Sequence, residues 1–268
     1  MRLYLILALA SLWAAAPALA QESAILGGWT LPEGAAVITT SRTQSSGIAK
    51  SATGQAKFVS QTYDSTLTVM AEVEGGQLTQ ALQTEKASES RFLVNGRPTG
   101  PPRASVMHGL PVAIARDDRG WQKVPVGWQP DAKQQAALDD KISLDDADYP
   151  ATPMAVGQTY VVPDSLLRQV YVSATDRPHR LTVRLDSLGT YGGAPAAFIT
   201  QEVQVEVGEP DALMTMDMTA RIVRRLDWML DVRTEWSGET TGTYPGYTTS
   251  GGMRYTSEQK VLMPPDAP

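Results

Sequence analysis

Cysteine is absent from all 268 residues. A disulfide framework, a thiolate metal site and a cysteine nucleophile are therefore excluded. Histidine occurs only twice and phenylalanine three times. Basic residues are not in excess either. Lys and Arg number 23 against 29 Asp and Glu, a formal net charge of −6. A nucleic-acid binder needs a basic stripe for phosphate contacts, and the overall charge argues against one. It argues equally against a polybasic membrane anchor. Catalytic signatures are missing: there is no G-x-S-x-G elbow, no H-E-x-x-H, no Walker loop and no dinucleotide fingerprint. Beyond residue 20 no long apolar run occurs, so no further spanning helix is expected. What is present is a chain of 42% hydrophobic and 19% charged residues, a globular composition with apolar mass for a sizeable core.

The first twenty residues read as an address. Arg2 is the only early charge, an apolar stretch follows, and Pro17 precedes Ala18-Leu19-Ala20, a small-x-small cleavage pattern. A secretory signal peptide over residues 1–20 is expected, with cleavage after Ala20 and a periplasmic or secreted product. A lipid tether would require a cysteine after the cleavage point, and there is none.

Alternation dominates the rest. In residues 199–207, Ile199, Val203, Val205 and Val207 share one parity with Gln201, and Thr200, Glu202, Gln204 and Glu206 hold the other. Residues 59–73 place Val59, Tyr63, Leu67, Val69 and Val73 on odd positions. Leu181, Val183 and Leu185 alternate with Thr182, Arg184 and Asp186. Met214, Met216, Met218, Ala220 and Ile222 form an even-numbered side that also holds Arg224, and Trp228, Leu230, Val232 and Trp236 continue it. One wet and one dry face is the mark of an antiparallel sheet. Some patterns run well past the usual five or six residues, so the strands must twist and coil. Residues 224–227 suit a bulge or a tight turn. Residues 112–126 read as a hairpin turning at Asp117-Asp118-Arg119-Gly120. Residues 131–146, with Asp131 at the start, suit a short helix connecting two halves of one sheet system.

The expected fold is all-β: one large curved antiparallel sheet, a half-barrel or open barrel, with one short helix. The expected organisation is a signal peptide at 1–20, a loosely held arm at 21–45, a single β domain at 46–263 and a tail at 264–268. Gly189-Thr190-Tyr191-Gly192-Gly193 and Gly242-Thr243-Tyr244-Pro245-Gly246 read either as a short internal repeat or as two Gly-rich loops.

The hairpin Ile114-Ala115-Arg116-Asp117-Asp118-Arg119-Gly120-Trp121 and the later run from Thr219 to Asp227, closed by residues 228–238, carry a resemblance. The chain is similar to an uncharacterised family of exported bacterial β-proteins, many of them lipoproteins, but lacks the lipid-acceptor cysteine. In architecture it resembles the lipoprotein-carrier half-barrel, in which a curved sheet wraps an apolar hollow. That resemblance implies binding of an acyl chain or a lipoprotein.

Several constellations invite a chemical reading. His108 and His179 suit loop or surface positions, and nothing local pairs either with a nucleophile and an acid. Asp139, Asp140, Asp145, Asp146 and Asp148 cluster, but lack the alternating loop and following Glu of a calcium site. Asp117 and Asp118 suit a turn. Met214, Met216 and Met218 share a face, which fits a core, a deformable apolar wall or a Cu(I) site. Five tryptophans follow residue 20, Trp29, Trp121, Trp128, Trp228 and Trp236; Trp228 and Trp236 share the dry face and suit core plugs, a cavity mouth or a partner surface. Tyr244, Tyr247 and Tyr255 fall in a Gly/Thr-rich stretch read as a loop over 238–255.

The leading functional expectation is a non-enzymatic periplasmic carrier for an apolar or acylated ligand. The ligand-lining residues would be Met214, Met216, Met218, Trp228, Trp236, Tyr63, Val203 and Val205. No cofactor or resident metal is expected. An envelope interaction module without ligand is the alternative, working through strand edges or the tyrosine stretch. A copper binder through the Met strand is a lesser one. A closed carrier requires an apolar cavity of a few hundred Å³.

Overall fold

A computed structural model describes residues 22–28, 30–74, 77–117, 120–140, 148–170, 176–209 and 211–264. The expected signal peptide, Trp29, Asp118, Asp145 and Asp146 lie outside the described residues.

The strands are β1 (Ser23–Ala24), β2 (Ala36–Ser51), β3 (Gly54–Glu74), β4 (Gln77–Val94), β5 (Arg97–Pro98), β6 (Pro111–Asp117) and β7 (Gly120–Pro125). They continue as β8 (Met154–Ala155), β9 (Thr159–Val161), β10 (Asp176–Tyr191), β11 (Ala194–Glu209), β12 (Ala212–Arg225), β13 (Leu230–Tyr244) and β14 (Tyr247–Leu262). The helices are α1 (Ala132–Asp139) and α2 (Asp164–Val170). The fold is all-β, as the alternation predicts.

One twelve-stranded sheet runs in the order β7-β6-β4-β3-β2-β14-β13-β12-β11-β10-β9, with β5 added beside β4. It is open, with β7 and β9 at its two ends. Every strand pairing within it is antiparallel. The sheet consists of two meanders, residues 36–125 and 159–262. They meet where β14 pairs with β2 in unbroken register from Tyr247↔Ser51 to Leu262↔Ala36. Residues 21–45 are therefore not all an arm. From Ala36 onward they form a central strand.

Turn chemistry explains several strand ends. Pro245-Gly246 joins β13 to β14, and Gly246 has φ 83°, the left-handed value a Pro-Gly turn places on its glycine. Residues 238–255 are thus a hairpin, not a loop. The two Gly-rich stretches are hairpin turns, β10 to β11 and β13 to β14.

Helix α1 begins with a reciprocal capping box. Asp131 accepts from the backbone of Lys133 and Gln134, and the Gln134 side chain accepts from the Asp131 N–H at 2.8 Å. It ends at Asp139, with Asp140 extended, and residues 141–146 of the expected helix lie outside the described residues. Helix α2 is additional: Asp164 opens it after Pro163, and Leu167 is buried.

Two apolar clusters hold the sheet to its covers. The first joins Leu181, Val183, Ile199, Val203, Met218 and Ile222 to Leu26, Tyr149, Met154 and Leu167. The second joins Val37, Met70, Ala81 and Ile114 to Leu31 and Leu138, with Trp128 and Trp228 at its margin. Register places both on one face. Ala220 pairs with Trp236, Trp236 with Tyr255, and Tyr255 with Thr43. Thr43 shares parity with Val37 along β2.

Strand β3 corrects the sequence pattern. Its odd residues Tyr63, Leu67 and Val69 pair with Arg42, Ile38 and Ala36, on the opposite face from Val37. The covered side is the even one, with Met70 against Ala81. Apolar residues occur on both faces of the lower part of β3, so counting them does not decide which face is covered.

Candidate functional site

Among the described residues, the dry face is covered only near one end of the sheet. Beyond the first cluster, β12, β13 and β14 carry Met216, Trp236 and Met253 as half-buried margin residues. Further along lie Met214, opposite Gly242, and Tyr244, opposite Tyr247. Phe58 and Phe92 continue the face on β3 and β4, with ring centroids 6.3 Å apart and Phe92 46% exposed. Between them runs a floor of small residues, in which Gly47 faces Gly251 and Met253 faces Ser45. Large neighbours lean over this floor. A Cβ added to Gly47 would lie 2.9 Å from the Phe58 ring, and one added to Gly238 would lie 2.8 Å from the Met218 sulfur. The result is a shelf of aromatic and thioether surface that crosses six strands from β12 to β4, five strand spacings or roughly 24 Å.

The eight residues expected to line a hollow are distributed unevenly. Val203, Val205 and Met218 are buried in the first cluster beneath its cover. Met214, Met216 and Trp236 are on the uncovered shelf or at its margin. Trp228 is not on the strand face. It sits in the turn between β12 and β13 and packs on the second cluster, with the Arg225 guanidinium 3.9 Å above its ring. Tyr63 stands on the wet face. Burial of Met218 leaves two accessible thioethers for a copper ion where three were expected.

Where the first cluster borders the turn after β12 there is a buried polar network that alternation did not reveal. Arg224 is 1% exposed. Its Nε donates to the Leu26 carbonyl at 2.6 Å and its Nη1 pairs with Asp231 Oδ1 at 2.7 Å. The guanidinium carbon also lies 4.2 Å from the centre of the Tyr149 ring. Tyr149 Oη donates to Asp231 Oδ2 at 2.9 Å. Gln201 Nε2 donates to Asp148 Oδ2 at 2.6 Å. The signal was present: Arg224 sits at a dry-face position of an otherwise apolar run, where a charge needs a partner.

Asp148, the last member of the expected acid cluster, belongs to this network. The residue keeps some accessible surface, but one carboxyl oxygen is taken up inside by Gln201. Its pKa is pushed up to about 6, first by burial, then by the Asp231 charge, against the opposing pull of Gln201 and Arg224. The raised value means the folded state favours the protonated acid. That contribution is fully present below pH about 4 and is lost as pH rises through about 6. Asp148→Asn stays neutral and keeps an acceptor for Gln201. It is expected to gain up to about 3 kcal/mol at pH 7 and to flatten the loss of stability between pH 4 and 6. Urea melts at pH 4, 5, 6 and 7 check this; an unchanged pH slope in the variant would contradict it.

Burial also raises Tyr149 well above its ordinary value, so it stays a donor. The other acids serve locally. Lys123 donates to the Ala137 carbonyl at 2.7 Å; burial lowers its pKa, and Asp140 and Asp139 oppose that. His179 lies 3.3 Å from Glu206 on the exposed face. His108 lies beside Glu85, but Ser105 hydrogen-bonds Glu85 directly, so no histidine stands between a hydroxyl and an acid there. Among the described residues no group of three His, Cys, Asp or Glu side chains is placed to hold a metal ion.

The wet face holds an open cleft of about 540 Å³ across β14, β2, β3 and β4. Arg42, Arg91, Arg254, Tyr63 and Glu89 line it. A second hollow of about 520 Å³ lies between the β2–β3 and β13–β14 turns, beside Lys50 and Tyr247. Neither is an enclosed apolar cavity of the kind a closed carrier requires.

No family model matches the chain. No curated protein matches it either. Among solved structures it is similar to lipovitellin, described for its lipid–protein interactions, at 10% identity and a TM-score of 0.45 over 89% of this chain. The chain spans only 26% of the lipovitellin chain. It is also similar to an outer membrane channel from Pseudomonas putida F1, at 10% identity and TM-score 0.31, over 87% of this chain and 97% of that one. The translocator domain of the autotransporter NalP from Neisseria meningitidis follows at 8% identity and TM-score 0.26, over 85% and 88%. At these scores the likenesses carry no functional argument. No helix among the described residues is long and apolar enough to cross a membrane, which says nothing of strands.

Proposed function

We propose that the chain is an exported, non-enzymatic binding protein that takes an apolar or acylated ligand on the uncovered shelf of its dry face. The observation that supports this reading is the row of half-buried and exposed apolar side chains beyond the covers, from Met214 and Met216 through Trp236 to Phe58 and Phe92. Thioethers adapt to irregular apolar shapes, and flat rings offer contact area at little entropic cost. The ligand would lie on an open surface, not in a closed hollow. This departs from the lipoprotein-carrier-like architecture expected from the sequence.

Trp236 supplies its own probe. Titration with a bromine-labelled stearate is expected to quench tryptophan fluorescence, and Trp236→Phe is expected to remove most of that quenching. Met214→Gln with Met216→Gln is expected to weaken binding about tenfold, because two polar amides would replace thioethers against the acyl chain. Quenching that persists in Trp236→Phe would put the ligand elsewhere. No quenching at all would favour the second reading, an envelope interaction module. One observation supports that alternative: β7 ends the sheet with Val124 52% exposed, and Val126 just beyond it is 43% exposed, on an edge that no strand among the described residues pairs.

A further inference from the structure

We propose that the wet-face cleft around Arg42 is a second binding site, for a phosphate-bearing ligand. It lies on the opposite face from the apolar shelf and does not rest on that reading. Arg42 pairs across β2 and β14 with Thr256 and across β2 and β3 with Tyr63. Arg254 pairs with Gln44, and Arg91 pairs with Gln61. Pairing across antiparallel strands puts side chains on one face, so all three guanidinium groups stand on the same side of the sheet. Sequence separates them widely; the β2–β3–β4 pairing sets Arg42 near Arg91, and the seam between the two meanders adds Arg254.

The charge is local and unlike the rest of the chain. Three arginines and one glutamate line the cleft, in a chain of net charge −6. Glu89 answers only Arg91, at 2.5 Å on an exposed pair, where solvent screens the gain. Arg42 is instead laid over the Tyr63 ring, with its guanidinium carbon 5.7 Å from the centroid, which orients the fork without neutralising it. Beyond Arg254 lies Glu235, already held by Arg233 at 2.6 Å. The cleft thus keeps a positive excess among neutral donors: Gln44, Gln61 and Thr256.

A phosphate group matches this donor set. Its oxygens accept the planar guanidinium fork in pairs, and a phosphate monoester carries more charge than a single carboxylate. The amide and hydroxyl groups around the arginines suit hydroxyls attached to that phosphate. A lipid headgroup and a soluble phosphate ester share this chemistry.

Two probes on the full chain separate those sources. The first is sodium pyrophosphate in isothermal titration at low salt. The second is co-sedimentation with phosphatidylglycerol–phosphatidylcholine vesicles, with pure phosphatidylcholine vesicles as blank. Binding is expected with at least one probe, to weaken as salt is raised, and to fall at least about tenfold in Arg42→Gln/Arg254→Gln. Glu89→Gln is expected to tighten it. Pyrophosphate binding without vesicle binding would support a soluble ester. Selective binding to the phosphatidylglycerol vesicles, lost in the double variant, would support a headgroup. No binding to either probe, or equal binding by the double variant, would overturn the proposal. Both arginines are exposed, so an unchanged thermal midpoint separates lost binding from lost fold. Stearate quenching of Trp236 should be untouched by the arginine changes, which keeps the two sites distinguishable.

Discussion

Arg224→Leu is expected to lower unfolding free energy by about 3–5 kcal/mol, the range seen when one partner of a buried ion pair is removed. The guanidinium joins elements far apart in the chain. It holds the Leu26 carbonyl of the N-terminal cover, the Asp231 carboxylate of β13 and the face of Tyr149. Leucine fills much of the volume but leaves Asp231 with only the Tyr149 hydroxyl and leaves the Leu26 carbonyl without this donor. Arg224→Lys is expected to recover little, because one ammonium cannot reproduce a planar fork and a stacked face together. Chemical denaturation with far-UV circular dichroism reads the loss. A drop under about 1 kcal/mol for Arg224→Leu would mean the network is not holding the cover.

Gly251→Val is expected to cost about 3 kcal/mol and to act first on the seam between the meanders. A Cβ on Gly251 would overlap the Ser46 carbonyl and lie 2.7 Å from the Gly47 Cα. These are backbone atoms of the neighbouring strand, so no rotamer change relieves the contact. Gly252→Val is the matched control. Its Cβ would meet only the Gly238 carbonyl at 3.5 Å, so a change within about 0.5 kcal/mol is expected. Hydrogen exchange should show early loss of protection along β2 and β14 in Gly251→Val alone. Equal effects from the two valines would remove the close-approach argument.

These two sites show what the sequence made legible and what it hid. Residues 181–185, 199–205 and 218–222 alternate cleanly because one face packs on a cover. There the dry face could be named residue by residue. Strand β2 gives no such signal. From Thr39 to Ser46 it is serine, threonine, arginine and glutamine, and among the described residues no apolar cluster covers that stretch on either face. Strand β3 misleads for a related reason, since Leu67 and Val69 face away from the buried Met70. Helix α1 is legible through Asp131 at its start; α2 is not, because seven residues are too few for a helical period to show. The arginine cleft had no local motif at all. Arg42, Arg91 and Arg254 become neighbours only through the registers of β14 on β2, β2 on β3 and β3 on β4.

That register also sets an order of events. The central pairing of the sheet joins its earliest long strand to its last, so β2 waits with an open edge while nearly all the rest is synthesised. Contacts of such large sequence separation are slow to form, because loop closure must precede any gain from them. A ribosome that stops before β14 releases two ribbons that each look finished locally, yet lack the one strand that makes them a single sheet.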